Sequence, residues 1–389
     1  MLDPETLPAP RELPKHEGLP DPFETFDGER VETEQQWRNV RRPELETLFR
    51  HYVYGHAPRN VETEVEVRDL GETANGRLRE IDVTLSESGF SFRFLHVHPE
   101  EPAPVIVGLN RRGNHAVLSD ERVSVTPGAR EHGTDFDGSG ETPAPRGSRA
   151  AAWCVDTLIE NGYGLLTACC ADIDPDRDEF TDGIHAALGS PGPTGHGWGS
   201  FAAWAWGLSR GLDYLESDPL ATSSAVFGWS RLGKTALLAG ATDERFDAVL
   251  AHQTGTGGLT LFRENEQETL GRITRAHGEW FNDTLPAFAG REERLPIDQH
   301  LLAAMVAPRP LLDTEGMRDF WINPPRALDA LEAAAPVYEL LGGPDSVDRR
   351  FADDGLDDVG ALCQYRRETE HTMAQEYWDI SCAFLDRHL

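Results

Sequence analysis

Five short apolar runs set the limits on this fold. They are "PVIVGLN" at 104–110, "YGLLTACC" at 163–170, "SAVFGWS" at 224–230, "FDAVLAHQTG" at 246–255 and "RPLLDTEG" at 309–316. Most are apolar without an alternating polar face, and helical stretches such as "GSFAAWAWGLSRGLDYLES" separate them. A strand that is apolar on both sides must be covered on both sides, so the pattern predicts parallel strands joined by crossover helices. Upstream, "VETEVEVRDL" and "LREIDVTLSESGFSFRFLHVHP" do alternate, which predicts antiparallel strands with one wet face. The expected fold class is therefore α/β, with a mixed, mostly parallel sheet in a three-layer αβα sandwich. Residues 113–150 and 171–196 are rich in Gly, Pro and Asp and are expected to be long surface loops. Residues 1–45 read as an N-terminal extension packed on a main catalytic domain of residues 46–389, whose first helix is "RPELETLFRHYVYG".

Charge narrows the range of partners. The formal net charge is −31, which argues against nucleic acid and anionic membrane surfaces. No apolar run is long enough for a membrane-spanning helix. The start, "MLDPETLPAPRELPKHEG", lacks the basic and apolar regions of a signal peptide, so the chain as written is expected to be cytoplasmic. Lysine occurs only at Lys15 and Lys234, and arginine carries nearly all of the basic charge. An acidic, lysine-poor surface is expected of a halophile-like protein, in which salt screens the repulsion between carboxylates. The five cysteines, Cys154, Cys169, Cys170, Cys363 and Cys382, have no metal-ligand spacing and are expected to be buried thiols. No metal and no cofactor is expected, and the oligomeric state is left open.

The stretch "GWSRLGKTAL" carries the chemistry. A strand running into a helix at Ser230 would lift the hydroxyl clear of the sheet and aim the first helical N–H groups at the space before it. The usual elbow is Gly-x-Ser-x-Gly. Here Gly228 fits, but Leu232 takes the fifth place and the second glycine comes at Gly233. Arg231 would lend its backbone N–H, and its guanidinium, to an oxyanion. Lys234, one turn later, would face the same pocket. In such folds the order is serine, acid, histidine. His371, ahead of a final helix, is the candidate base, whereas His300 and His388 read as structural.

The stretch "GWSRLGKTALLAGA" resembles the signature of the glucuronoyl esterases, carbohydrate esterase family 15. "LPDPFETFDG", "GLNRRGNH", "ADIDPDRDEF", "LPIDQHLLAAMVAPRPLL", "AAAPVYELLG" and "YRRETEH" are similar, in order, to segments of the family's bacterial branch. The resemblance implies an α/β-hydrolase fold and a metal-free serine esterase. It also implies carbohydrate esters of (4-O-methyl)-glucuronic acid as substrates, cleaved through a Ser-His-Asp acyl-enzyme, with acetyl xylan esterase or another carbohydrate deacetylase as the alternative. In the fungal branch the acid would fall at Gln253, and a neutral amide cannot stabilise an imidazolium as a carboxylate does. The bacterial Asp-x-Trp pattern places the acid at Asp319, with Glu315 and Asp313 as alternatives on the same strand. Lys234 and Trp321 match sugar-contacting residues. A sugar-contacting fungal glutamate falls near His277, where this chain has no match. Arg111, Arg112 and His115 are expected to be structural or surface residues, in a loop that could approach the oxyanion.

The charge leads to a direct test. Screening falls off over about 3 Å at 1 M salt and about 30 Å at 0.01 M. Dialysis from the first condition to the second should lower the melting temperature, as read by circular dichroism. An unchanged value would remove the halophile expectation.

Overall fold

The computed structural model describes residues 2–58, 60–73, 76–126, 143–190, 192, 197–355 and 357–389. Its strands are β1 (Thr63–Glu72), β2 (Arg77–Leu85), β3 (Ser91–His98), β4 (Ala103–Asn110), β5 (Gly164–Cys169), β6 (Ala221–Trp229), β7 (Ala248–His252), β8 (Leu311–Gly316), β9 (Asp348–Phe351) and β10 (Leu362–Arg367). Among the described residues they form one sheet in the order β1-β2-β3-β5-β4-β6-β7-β8-β10-β9. The pairs from β1 to β5 are antiparallel. From β5 through β4 to β9 all are parallel.

Two cores explain the apolar runs. Val105, Val107, Val226, Val249 and Leu311 point to one face. Ile106, Ala225, Phe227, Leu250 and Leu312 point to the other. Consecutive residues of each parallel strand thus alternate between two dry layers, which removes the polar period from the sequence. Helices α1 (Arg42–Phe49), α2 (Ser200–Leu215), α3 (Arg231–Thr242) and α4 (Pro324–Leu340) cover the first face. Helix α5 (Gln375–His388), with the short helix Val155–Glu160, covers the second. The three-layer α/β-hydrolase architecture follows.

Departures from expectation have local causes. β1 is the outermost strand of the sheet and is wet on both faces along most of its length, with Val65 and Val67 exposed. The charged residues interleaved along it guard this open edge against further strand pairing. Residue 45 lies inside a continuous helical run from 34 to 54, and Leu13, Val31 and Trp37 enter the same core as Leu48. The described parts of the two expected loops are not all surface. Short helices occupy Asn114–Val117, Ala150–Trp153 and Gly183–Ala187. Asp174 is buried, where it meets His185 Nδ1 at 2.6 Å and accepts from Ser200 Oγ at 2.6 Å. These polar contacts satisfy a folded-in loop that composition alone reads as solvated. Residues 127–142, 191 and 193–196 of those loops lie outside the described residues.

The β6–α3 junction is the tightest crossing at the site. A Cβ on Gly228 would lie 1.9 Å from the Leu232 carbonyl oxygen. One on Gly233 would lie 2.8 Å from Gly228 O and 3.0 Å from His252 O. The second glycine is needed where the helix rests on the strand ends, and position 233 occupies that place, so Leu232 is tolerated. At its other end, α3 is held by two arginines. Arg42 donates to Ala241 O at 2.8 Å, and Arg309 donates to Gly240 O at 2.7 Å. Gly228→Ala should destabilise the fold by about 3 kcal/mol, the upper range for overpacking, because backbone cannot move aside. A denaturant midpoint within error of the parent would contradict this crossing.

Candidate active site

Ser230 caps α3 with φ 59° and ψ −129°, a conformation that L-residues rarely adopt. Its N–H donates to His252 O at 2.9 Å, and its carbonyl accepts from Gly233 and Lys234 at 2.8 and 3.1 Å. The helical ladder therefore starts after Arg231 and Leu232, whose N–H groups belong to the unsatisfied first turn. Ser230 and His371 line one cavity of about 360 Å³, together with Arg231, Arg111, Arg112 and Trp153.

Asp319 sits in the turn after β8, where its N–H donates to Gly316 O at 2.9 Å. Its Oδ2 lies 2.5 Å from His371 Nδ1. That bond leaves Nε2 for the serine side. The imidazole also lies against the Trp229 indole, with centroids 5.4 Å apart and planes 30° from parallel. The two alternative acids lie elsewhere. Asp313 and Glu315 are buried within β8, and Gln364 Nε2 donates to Asp313 Oδ2 at 2.7 Å. Burial pushes both carboxyls up, Asp313 to about 7, and the Asp313 and Asp319 charges add to the upward push on Glu315.

Arg231 is not a surface residue. Its guanidinium donates to Asp176 Oδ2 and lies 4.7 Å from the centroid of the Trp280 ring. Trp280 Nε1 donates to Asp176 Oδ1 at 2.8 Å, and Arg111 stands 3.7 Å from the same carboxylate. Burial alone would raise the Asp176 pKa, but Arg231 and Arg111 hold it below the usual range. Arg111 and Arg112, which follow β4 beside β6, thus line the cavity wall. His115 is structural, with Nε2 2.9 Å from Ala144 O.

Lys234 is buried one turn along α3 and is not among the residues lining that cavity. Its Nζ donates to Thr256 O at 2.7 Å and to Glu268 Oε2 at 3.2 Å. Burial lowers its pKa, against the raising effect of Glu268. Trp321 Nε1 donates to Glu268 Oε1 at 3.3 Å, and half of the Trp321 surface faces solvent. Lys234 and Glu268 therefore form a buried pair near Asp319, and of the three side chains only the Trp321 indole is open to solvent. The position expected for a sugar-contacting glutamate, His277, instead stacks on Trp280 at 3.8 Å.

The chain is 33% identical over its whole length to carbohydrate esterase MZ0003, from an unknown prokaryotic organism, and covers 94% of that protein. Its structure superposes on a promiscuous CE15 esterase from a marine bacterial metagenome with a TM-score of 0.84, at 32% identity over 98% of this chain and 99% of that one. The chain belongs to carbohydrate esterase family 15, the glucuronoyl esterases. As a glucuronoyl esterase family member it is a carboxylic ester hydrolase. Residues 193–342 match the model described as "Glucuronyl esterase, fungi", a span that holds Ser230, Lys234, Glu268, Asp319 and Trp321. A 4-O-methyl-glucuronoyl methylesterase of Schizophyllum commune is 27% identical, over 91% of this chain and 80% of that protein.

Sequence reasoning missed Asp176, Glu268 and Trp280. Asp176 stands among other acids in "ADIDPDRDEF", and Glu268 in the polar stretch "RENEQETLGR", so neither carried a local signal. Only the pairing with the buried cations Arg231 and Lys234 sets them apart.

The buried pair on β8 predicts a pH effect. The folded protein keeps a proton on Asp313 that the unfolded chain releases from about pH 4 upward. Stability should fall as pH rises from there through about 7. Asp313→Asn should melt higher than the parent near pH 8 and close to it near pH 4. Equal melting curves at the higher pH would contradict the upward shift of the Asp313 carboxyl.

Proposed function

We propose that the chain cleaves esters of glucuronic acid, including its 4-O-methyl form, through an acyl-enzyme on Ser230. The choice of a sugar acid over a small acyl group rests on the half-exposed Trp321 indole, which donates to Glu268 beside the buried Lys234. An exposed indole suits a pyranose face, and an acetyl group would leave it unused. The name of the Schizophyllum commune relative points the same way.

In this reading His371 Nε2 takes the Ser230 proton as Oγ attacks the ester carbonyl. Asp319 holds the imidazole tautomer and stabilises the imidazolium. The oxyanion meets the N–H groups at the start of α3, Arg231 among them, and the Arg231 guanidinium. Asp176 and Trp280 hold that guanidinium in place beforehand, so little reorganisation is needed when charge develops. His371 then protonates the leaving alcohol and activates the water that releases the acid.

The deciding assay compares benzyl glucuronate with p-nitrophenyl acetate at high salt. Turnover of the glucuronate by the parent is expected. Trp321→Ala should lower its kcat/KM by about 10-fold or more, with little change for the acetate. Loss of both in parallel, or no glucuronate turnover, would refute the sugar-acid reading. Ser230→Ala should cut kcat by ~10³ to 10⁶-fold. Asp319→Asn should cut it by up to ~10⁴-fold. Full activity in Asp319→Asn would overturn the reading of Asp319 as the acid.

A further inference from the structure

Gln253 follows β7 with φ 46°, in the left-handed region, and is fully buried. Its own N–H donates to Thr314 O at 2.9 Å, which ties it to β8. Its side chain reaches the segment that carries His371. Oε1 accepts from Thr372 N–H at 3.0 Å, and Nε2 donates to Glu370 O at 3.0 Å. One amide therefore grips the backbone on both sides of the histidine. Oε1 also accepts from Trp229 Nε1 at 3.2 Å, and that indole is the one lying against the His371 ring.

The neighbouring groups make this a built site. His252 Nε2 lies 2.9 Å from Thr372 O, and its Nδ1 lies 2.8 Å from Thr314 Oγ1. Across the segment, a Cβ on Gly316 would fall 2.3 Å from Gln253 Nε2, 2.7 Å from Glu370 O and 2.8 Å from Thr369 O. Only a residue without a side chain at 316 lets the amide reach Glu370. The contacts at Gln253 call for an acceptor and a donor on one planar group. A carboxylate supplies only the acceptor half, and a methylene chain supplies neither.

We propose that Gln253 is a positioning residue for the esterase reaction, holding the His371 imidazole between Asp319 and Ser230 through the backbone of Glu370 and Thr372. The inference rests on reading His371 as the base. A displacement near 1 Å at a reacting group can cost about 100-fold in rate.

The test is Gln253→Met, close in volume and without the hydrogen bonds, assayed with benzyl glucuronate beside His371→Ala. A fall in kcat of ~10 to 100-fold is expected, with KM within about threefold and the titratable Ser230 sites unchanged in number. Gly316→Ala, which pushes on the amide from the opposite side, should give the same pattern. In the Asp319→Asn background Gln253→Met should cost much less than in the parent, because both act through one imidazole. The downfield proton resonance of the His371–Asp319 hydrogen bond should shift or broaden in Gln253→Met. An unchanged kcat and resonance, a loss matched by fewer titratable sites, or full additivity with Asp319→Asn would each overturn the proposal. Normal turnover by His371→Ala would instead remove the reading of the base on which it stands.

Discussion

The contact between β6 and α3 governs the site. Strand and helix meet so closely at Gly228 and Gly233 that a single methyl at either position would overlap backbone. The chain can make that turn only by passing through a positive φ at Ser230. A serine held there projects from the sheet edge, and the first turn of α3 faces the same space. The strain at one residue is thus maintained by the packing of two elements that belong to the core on either side of it.

The remaining machinery comes from the ends of β7, β8 and β10, which lie side by side in that order. β8 leads to Asp319, β10 leads to His371, and β7 ends in His252 and Gln253. Met317 N donates to Arg367 O at 2.7 Å and Arg318 N to Thr369 O at 2.9 Å, so the segments after β8 and β10 travel together before they diverge to Asp319 and His371. The 2.5 Å contact between Asp319 and His371 is then a property of neighbouring strands rather than of two independent loops. By resemblance, the fungal branch draws its acid from the position of Gln253. Here the carboxylate that meets His371 is Asp319, after the next strand over, and an amide stands at position 253.

Much of this could be read in the sequence, because the relevant signals were local. The apolar runs declared strands covered on both faces, and Gly228, Ser230 and Gly233 declared the elbow although its spacing is unusual. Asp319, His371 and Lys234 stood out by motif position or by rarity. What remained hidden was pairwise. Asp176 matters because Arg231 and Trp280 meet it, and Glu268 because Lys234 does, yet the partners lie 55, 104 and 34 residues away. A loop rich in aspartate does not announce which carboxylate will be buried against a guanidinium. Gln253 was read for the charge it lacks, whereas its contacts depend on the donor that a glutamate would not have.

The arginines at the far end of α3 have a mechanical consequence. Gly240 and Ala241 follow Ser230 by ten and eleven residues, which at about 1.5 Å each places their carbonyls some 15 to 17 Å along the axis from Ser230. Arg42 comes from the N-terminal helical run and Arg309 from the segment entering β8, so two distant parts of the chain hold the same helix end. Sliding of α3 along its own axis would carry the N–H groups of its first turn away from the cavity that Ser230 lines. It would also stretch both guanidinium contacts at once. The register of the reacting end is therefore secured from the opposite pole of the molecule, by residues that never approach a substrate.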